Sequence, residues 1–137
     1  MTIRSVNEMV ATAKAEITNI SPEEALRRVN EEDAVIVDIR DIRELQRDGA
    51  IPGATHAPRG MLEFWVSPDS PYTKELFTEE REFVFCCASG MRSALSTKTL
   101  KDMGMENISH IETGFGGWKS SGMETQDYET WKVHRVK

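Results

Sequence analysis

The fold is decided by the segment Phe83–Ser93, which reads FVFCCASGMRS. Its first four residues are apolar and mostly aromatic or β-branched, a run typical of a short strand buried on both faces of a parallel sheet. A loop with one glycine follows. From Arg92 onward, apolar residues at helical spacing predict a helix that ends near Met103, before Gly104. The segment therefore predicts a strand, a tight loop and a helix.

The same kind of unit recurs along the chain. Ala34–Asp38 (AVIVD) is a second short β-branched run, and shorter strand candidates lie at 17–20, 55–57 and 107–111. Helical patterns separate these strands, and such alternation is typical of a parallel sheet covered by helices. We therefore expect an α/β fold, with a central parallel sheet of about five strands and helices on both faces.

Two helices are expected before the first long strand. Apolar residues at helical spacing predict an amphipathic helix within 6–17. Ser21 then suits a helix N-cap and Pro22 the first helical position. Glu24 is placed to complete a capping box, in which its side chain would accept from the N-cap backbone. This second helix is expected to end near Asn30.

The C-terminal part of the chain is less regular. Gly114–Trp118 (GFGGW) predicts a turn that leads into one more helical turn. The tail 124–137 mixes charged and aromatic residues, and it fits either a docking helix or a partly ordered end. Because the chain has 137 residues and no internal repeat, we expect one domain over 1–137. Its core would span about 16–123, flanked by the first helix and the tail.

Composition narrows the classes of partner. Seventeen basic and 23 acidic residues give a formal net charge of -6, which argues against nucleic acid or an anionic membrane as the partner. The apolar runs are far shorter than the roughly 18 residues of a membrane span. The N-terminus lacks the pattern of a secretory signal, so a cytoplasmic protein is expected. Cys86 and Cys87 are neighbours, so both are expected to be thiols rather than a disulfide.

The thiol of Cys87 lies where a buried strand gives way to a helix. Backbone N–H groups at such a junction, together with the helix dipole, form an anion-binding cradle. Helix N-termini and nearby arginines lower a cysteine pKa from about 8.5 to roughly 3.5–7.5. Gly90 allows a tight loop, Arg92 offers a cationic fork for an oxyanion, and Ser93 suits a helix cap or a donor to sulfur. Cys86 is interpreted as an ordinary buried thiol.

These residues resemble the rhodanese-like domain family. The family writes its active-site loop C-x-x-G-x-R-S, a hydrophobic strand followed by D-x-R, the run G-H-I-P-G-A and a C-terminal Gly-Trp element. The matching segments here are Cys87–Ser93, Val35–Arg40, Gly49–Ala54 and Gly114–Trp118 followed by Gly122. One departure is Ala50, where the family often has His, and we expect it to affect loop support rather than chemistry.

The resemblance implies a sulfurtransferase with Cys87 as nucleophile and persulfide carrier. The loop residues that would hold the sulfur are Ala88, Ser89, Gly90, Met91, Arg92 and Ser93. Asp38 and Arg40 are interpreted as structural support, because a carboxylate closing a buried strand needs a charged partner. The expected donor is a small sulfane compound such as thiosulfate, and the expected acceptor is a thiol, cyanide or a protein.

No metal is expected, because the three histidines are scattered without ligand spacing, and no cofactor is expected either. Two other functions stay open. A phosphatase or arsenate reductase would use C-x5-R, a spacing that Cys86 and Arg92 also satisfy. The third possibility is a non-catalytic module that presents Cys87 to a partner, since a fold alone does not define a function.

Overall fold

Five parallel strands form one sheet in the computed structural model, which describes residues 1–135. The strands are β1 (Asn19–Ile20), β2 (Val35–Asp38), β3 (Thr55–His56), β4 (Phe83–Cys86) and β5 (Ile108–Ile111). Their order across the sheet is β1-β5-β4-β2-β3. The long central strands β2 and β4 are in register, with Asp38 opposite Cys86 at their carboxyl ends. The predicted parallel sheet is confirmed.

Residues 1–135 contain seven α-helices, which lie between these strands and at both ends of the sheet region. They are α1 (Val6–Glu16), α2 (Pro22–Glu32), α3 (Ile42–Asp48), α4 (Leu62–Val66), α5 (Met91–Asp102), α6 (Gly114–Ser120) and α7 (Tyr128–His134). Short 3-10 turns at Arg59–Met61 and Glu75–Thr78 lie in the long β3–β4 connection. Among residues 1–135, no helix is long and apolar enough to cross a bilayer.

Side chains of each central strand alternate between two apolar cores, because successive residues of a strand point to opposite faces. On one face, Ile36, Val84 and Cys86 pack with Ala25 of α2 and Trp118 of α6. The other face is formed by a second set of buried side chains, which pack under α4 and α5. Its members are Val35, Val37, Phe83, Phe85, Cys87, Leu62 and Leu100. Helices therefore cover both faces, as the sequence predicts.

Helix α2 begins at a side-chain cap. Ser21 Oγ accepts from the Glu24 N–H at 3.1 Å, which confirms the N-cap of α2. The predicted second half of this capping box is wrong, because the Glu24 carboxylate binds Arg27 and Arg28 instead. The helix also extends to Glu32, two residues past the predicted end.

The C-terminal segments are more ordered than the sequence indicates. Gly114–Trp118 is the first part of helix α6 rather than a turn before it. The tail forms α7 and docks: Trp131 is fully buried and donates its Nε1–H to the Ala54 carbonyl at 2.8 Å. Residues 136–137 of the predicted tail lie outside the described residues.

Candidate active site

Cys86 and Cys87 occupy opposite sides of the sheet at the carboxyl end of β4. The Cys86 side chain belongs to the core under α2 and α6, whereas Cys87 belongs to the core under α4 and α5. Both residues are buried, at 0% and 1% exposure. Cys87 begins the short loop that leads into α5, so its sulfur faces the N-terminus of that helix.

Two backbone N–H groups point at the Cys87 sulfur. The Gly90 N–H lies 3.1 Å from Cys87 Sγ, and the Ser93 N–H lies 3.3 Å from it. The Ser93 hydroxyl oxygen is also 3.5 Å from the sulfur. These donors lie at a helix N-terminus, where backbone dipoles favour a negative charge. Ala88, Ser89 and Met91 complete the loop, and Ser89 and Met91 are exposed.

The loop can close this tightly because of Gly90. Its φ of +95° lies in the left-handed region that side chains rarely adopt. A Cβ atom at this position would also overlap the carbonyl oxygen of Glu112. A glycine is therefore required both by the backbone conformation and by the close approach of the segment after β5.

The N-terminus of α6 holds the loop from the other side. The Phe115 N–H donates to the Cys87 carbonyl at 2.8 Å, and the Gly116 N–H donates to the Ala88 carbonyl at 3.0 Å. A Cβ at Gly114 would lie 2.6 Å from the Ala88 carbonyl oxygen, so only glycine allows this approach. The Gly-rich segment thus supports the cysteine loop through its backbone.

Cys86 has the properties of a structural thiol. Its Sγ contacts the Cys87 carbonyl oxygen at 3.4 Å. Burial, and to a lesser extent the nearby Asp38 carboxylate, raise the pKa of Cys86 well above its ordinary value. The thiolate that a C-x5-R mechanism would need is therefore disfavoured at Cys86.

Arg92 forms an ion pair that the sequence analysis did not predict. Its two terminal nitrogens bind the Glu44 carboxylate of α3 at 2.7 and 3.0 Å. This hydrogen bonding raises the pKa of Arg92 and lowers the pKa of Glu44. The guanidinium is 43% exposed, so it stays at the rim of the loop. The fork proposed for an oxyanion is thus already occupied by a carboxylate.

Asp38 and Arg40 form a second, fully buried pair beside the loop. The Asp38 carboxylate accepts from the Arg40 backbone N–H at 3.0 Å and from its Nη2 at 2.7 Å. The guanidinium also donates to the Gly49 carbonyl at 2.9 Å and stacks 4.1 Å from the centre of the Phe115 ring. The Ile39 N–H donates to the Cys86 carbonyl at 2.8 Å. These contacts fit the predicted supporting role.

One of the three histidines without ligand spacing, His110, lies buried near the cysteine loop. His110 of β5 has 0% exposure, and its Nδ1 lies 2.8 Å from the Ser93 hydroxyl. Its Nε2 lies 2.7 Å from Asn19 Oδ1. Burial, together with the nearby Lys14 charge, lowers the pKa of His110 to about 4. No signal in the sequence links His110 to Cys87, because β4, α5 and β5 must first assemble.

Within residues 1–135, the structure brings together no group of three or more His, Cys, Asp or Glu side chains that could hold a metal ion. The groups around Cys87 Sγ are two backbone donors and the Ser93 hydroxyl, which leads on to His110 and Asn19.

The sequence profile of the rhodanese-like domain matches residues 21–121. The chain belongs to the rhodanese-like domain family. One curated relative is the thiosulfate sulfurtransferase GlpE of Glaesserella parasuis, which is 26% identical over 104 residues. The match covers 76% of this chain and 88% of the relative.

Two solved structures extend the likeness beyond the matched core. A Rhodopseudomonas palustris protein of unknown function, described as a possible tyrosine phosphatase, is 47% identical with a TM-score of 0.86. The structural match covers 92% of this chain and 98% of the Rhodopseudomonas palustris chain. The polysulfide-sulfur transferase of Wolinella succinogenes is 29% identical with a TM-score of 0.69, over 88% of this chain and 85% of its own. Sulfurtransferases are thus among the relatives of this chain.

Proposed function

We propose that residues 1–137 form one sulfurtransferase domain, which carries a sulfane sulfur as a persulfide on Cys87. The observation that carries the proposal is the pair of N–H groups, from Gly90 and Ser93, that face the Cys87 sulfur. Such fixed donors stabilise a thiolate and the anion of a persulfide without reorganising during the reaction. The family and its sulfurtransferase relatives support the same assignment.

The proposed reaction consists of two displacements at sulfur. First, the Cys87 thiolate attacks the outer sulfur of a donor such as thiosulfate. The new S–S bond forms as the old one breaks, and sulfite leaves with the bonding electron pair. An acceptor thiolate or cyanide then attacks the outer sulfur of the persulfide. Cys87 leaves as a thiolate, and the cycle closes with no net change in the protein.

A phosphatase is the second candidate, because a structural relative carries that description. In the C-x5-R register its nucleophile would be Cys86. Three observations argue against this register. Cys86 points to the other face of the sheet, its pKa is raised by burial, and Arg92 is already bound to Glu44. A phosphoryl group would also require a donor ring wide enough for several oxygens, whereas two N–H groups here converge on one sulfur.

Mass spectrometry after incubation with thiosulfate tests the proposal. Because Cys86 and Cys87 are adjacent, the site is assigned with the Cys86→Ser and Cys87→Ser variants. We expect the mass of one added sulfur atom in the wild type and in Cys86→Ser, and none in Cys87→Ser. Sulfur that persists in Cys87→Ser would contradict the assignment. Turnover of an aryl phosphate that disappears in Cys86→Ser would assign the site to a phosphatase.

Loading without transfer would identify the third alternative, a module that only presents Cys87. The decisive measurement is the transfer of sulfur from loaded protein to cyanide, followed as thiocyanate formation. We expect multiple turnovers with excess thiosulfate. A single stoichiometric release without turnover would favour the non-catalytic module.

A further inference from the structure

Four side chains form a continuous hydrogen-bonded chain that begins at the proposed nucleophile. Cys87 Sγ is 3.5 Å from Ser93 Oγ, which is 2.8 Å from His110 Nδ1. His110 Nε2 is in turn 2.7 Å from Asn19 Oδ1. The chain runs from the cysteine loop through α5 and β5 to β1. Ser93 and His110 are fully buried, so water does not compete for the contact between them.

The direction of each hydrogen bond follows from Asn19. Its Nδ2 donates to the Lys14 carbonyl at 2.9 Å and lies 3.3 Å from the Ile17 carbonyl. The amide nitrogen is thereby fixed, and Oδ1 must be the atom that faces His110. Since Oδ1 can only accept, His110 Nε2 carries the hydrogen and donates.

The tautomer of His110 then determines to which partner the Ser93 hydroxyl donates its hydrogen. A neutral imidazole with its hydrogen on Nε2 has only a lone pair at Nδ1. The low pKa of His110 keeps the ring neutral above about pH 5, and Lys14 of α1 is the charged group that acts on it. The Ser93 hydroxyl must therefore donate its single hydrogen to His110 Nδ1. Its oxygen presents a lone pair, not a hydrogen, to Cys87.

We propose that His110 and Asn19 are positioning residues that turn the Ser93 hydroxyl hydrogen away from Cys87. This inference rests on the proposed function, in which Cys87 is the sulfur carrier. The Ser93 oxygen can accept from the thiol S–H, whereas a thiolate gains no donor from it. The resting thiolate is then held by the two backbone N–H groups alone, and His110 restrains thiolate formation. The charges near this loop are paired, Arg92 with Glu44 and Arg40 with Asp38.

The rate of iodoacetamide alkylation as a function of pH tests this arrangement without any sulfur transfer. All variants are made in the Cys86→Ser background, so Cys87 is the only thiol. His110→Met removes the acceptor at similar volume and frees Ser93 to donate to the sulfur. We expect the midpoint of the alkylation profile to move to lower pH by about one unit. His110→Asn, which can offer a carbonyl oxygen in place of Nδ1, should return the midpoint toward the parent value.

Ser93→Ala separates positioning from packing. The Ser93 oxygen accepts from the Cys87 S–H in the proposed arrangement. Removing the hydroxyl should therefore leave the midpoint of the alkylation profile unchanged or lower it. It should also abolish the shift caused by His110→Met in the double variant, since His110 acts through Ser93. Ser109→Ala is the matched control: Ser109 is also a buried serine and lies on β5 next to His110, but its hydroxyl donates to Glu82. This control should not move the midpoint.

Three results would overturn the inference. A rise of the midpoint in Ser93→Ala would show that the hydroxyl donates to the thiolate, and this test holds even if His110→Met does not fold. An unchanged or raised midpoint in folded His110→Met would assign His110 to packing or to proton acceptance. A His110→Met shift that survives in the Ser93→Ala double variant would exclude action through Ser93. If instead the midpoints behave as expected but Cys87 takes no sulfur from thiosulfate, the proposed function fails while the positioning role stands.

Discussion

The loops that follow β2 and β4 lie side by side, yet their polar groups are used differently. At the end of β2, Asp38 and Arg40 bind each other, and the Arg40 guanidinium also donates to the Gly49 carbonyl and stacks on the Phe115 ring. After β4, the N–H groups of Gly90 and Ser93 point at the Cys87 sulfur. In the first loop the charged side chains bind each other. In the second loop, uncharged backbone donors surround the Cys87 sulfur.

This difference distinguishes residues that stabilise the fold from residues that can act on the Cys87 sulfur. A buried ion pair whose partners are both satisfied has no group left for a substrate, and breaking it leaves a buried charge. Backbone donors directed at one sulfur instead stabilise whichever form of that sulfur is negative. We therefore expect substitutions after β2 to change mainly stability, and substitutions after β4 to change mainly activity.

The largest effect is expected at Cys87, with Cys86 as its comparison. Cys87→Ser should lower thiosulfate-to-cyanide transfer by roughly 10³-fold or more, because a serine hydroxyl without a base is a poor nucleophile. Cys86→Ser should keep most of the activity, since Cys86 lies on the other face of the sheet. Thiocyanate formation measures both. Equal losses in two folded variants would contradict the distinction between the thiols.

The second effect concerns stability after β2. Asp38→Asn leaves the buried Arg40 without its counter-charge and should lower the free energy of unfolding by about 3–5 kcal/mol. The matched comparison is the double variant Asp38→Leu with Arg40→Met, which removes both charges and should cost less. Urea unfolding measures both. A stable Asp38→Asn protein that has lost sulfur transfer would instead place Asp38 in the chemistry.

The third effect tests the shape of the cradle. Gly90→Ala should lower activity by about 10-fold or more, because the added Cβ overlaps the Glu112 carbonyl and displaces the loop. Gly104→Ala is the control, since Gly104 has a similar φ of +104° and no atom within 4 Å of a built Cβ. It should cost about 1 kcal/mol of stability with activity kept. Similar activity in both variants would mean that the cradle tolerates displacement.

The contrast between local and long-range signals explains what the sequence could predict. The strands Val35–Asp38 and Phe83–Cys86 are recognisable because their apolar runs are local, and the cysteine loop because its spacing is local. His110 and Glu44 were missed as neighbours of the loop because they reach it from β5 and α3, which only tertiary packing brings together. The capping box of α2 failed for a different reason, which lies within the helix itself. Local propensity favours Glu24 at the cap, but two arginines compete for the same carboxylate.

The smallest expected effect concerns the ion pair at the rim of the β4 loop. Because Arg92 is bound to Glu44, Glu44→Gln should free the guanidinium and lower the KM for thiosulfate about two- to fivefold. Arg92→Ala should mainly raise this KM, with kcat changed less. Asp102→Asn is the control, since it breaks a salt bridge to Lys98 at the other end of α5 with the same change of charge. It should leave KM unchanged.

The pH dependence of this pair has a definite sign. Hydrogen bonding to Arg92 lowers the pKa of Glu44 in the folded protein. The pair therefore contributes its stability fully above the ordinary carboxyl pKa of about 4.3, and the contribution is lost as the pH falls through the lower folded value. Since Arg92 is partly exposed and screened, this contribution should be only about 0.5 kcal/mol. The KM difference between wild type and Glu44→Gln should accordingly be constant from pH 6 to pH 8, a range given roughly by that pKa. A difference that disappears between these pH values would mean that a group other than Glu44 controls the access of anionic donors to Arg92.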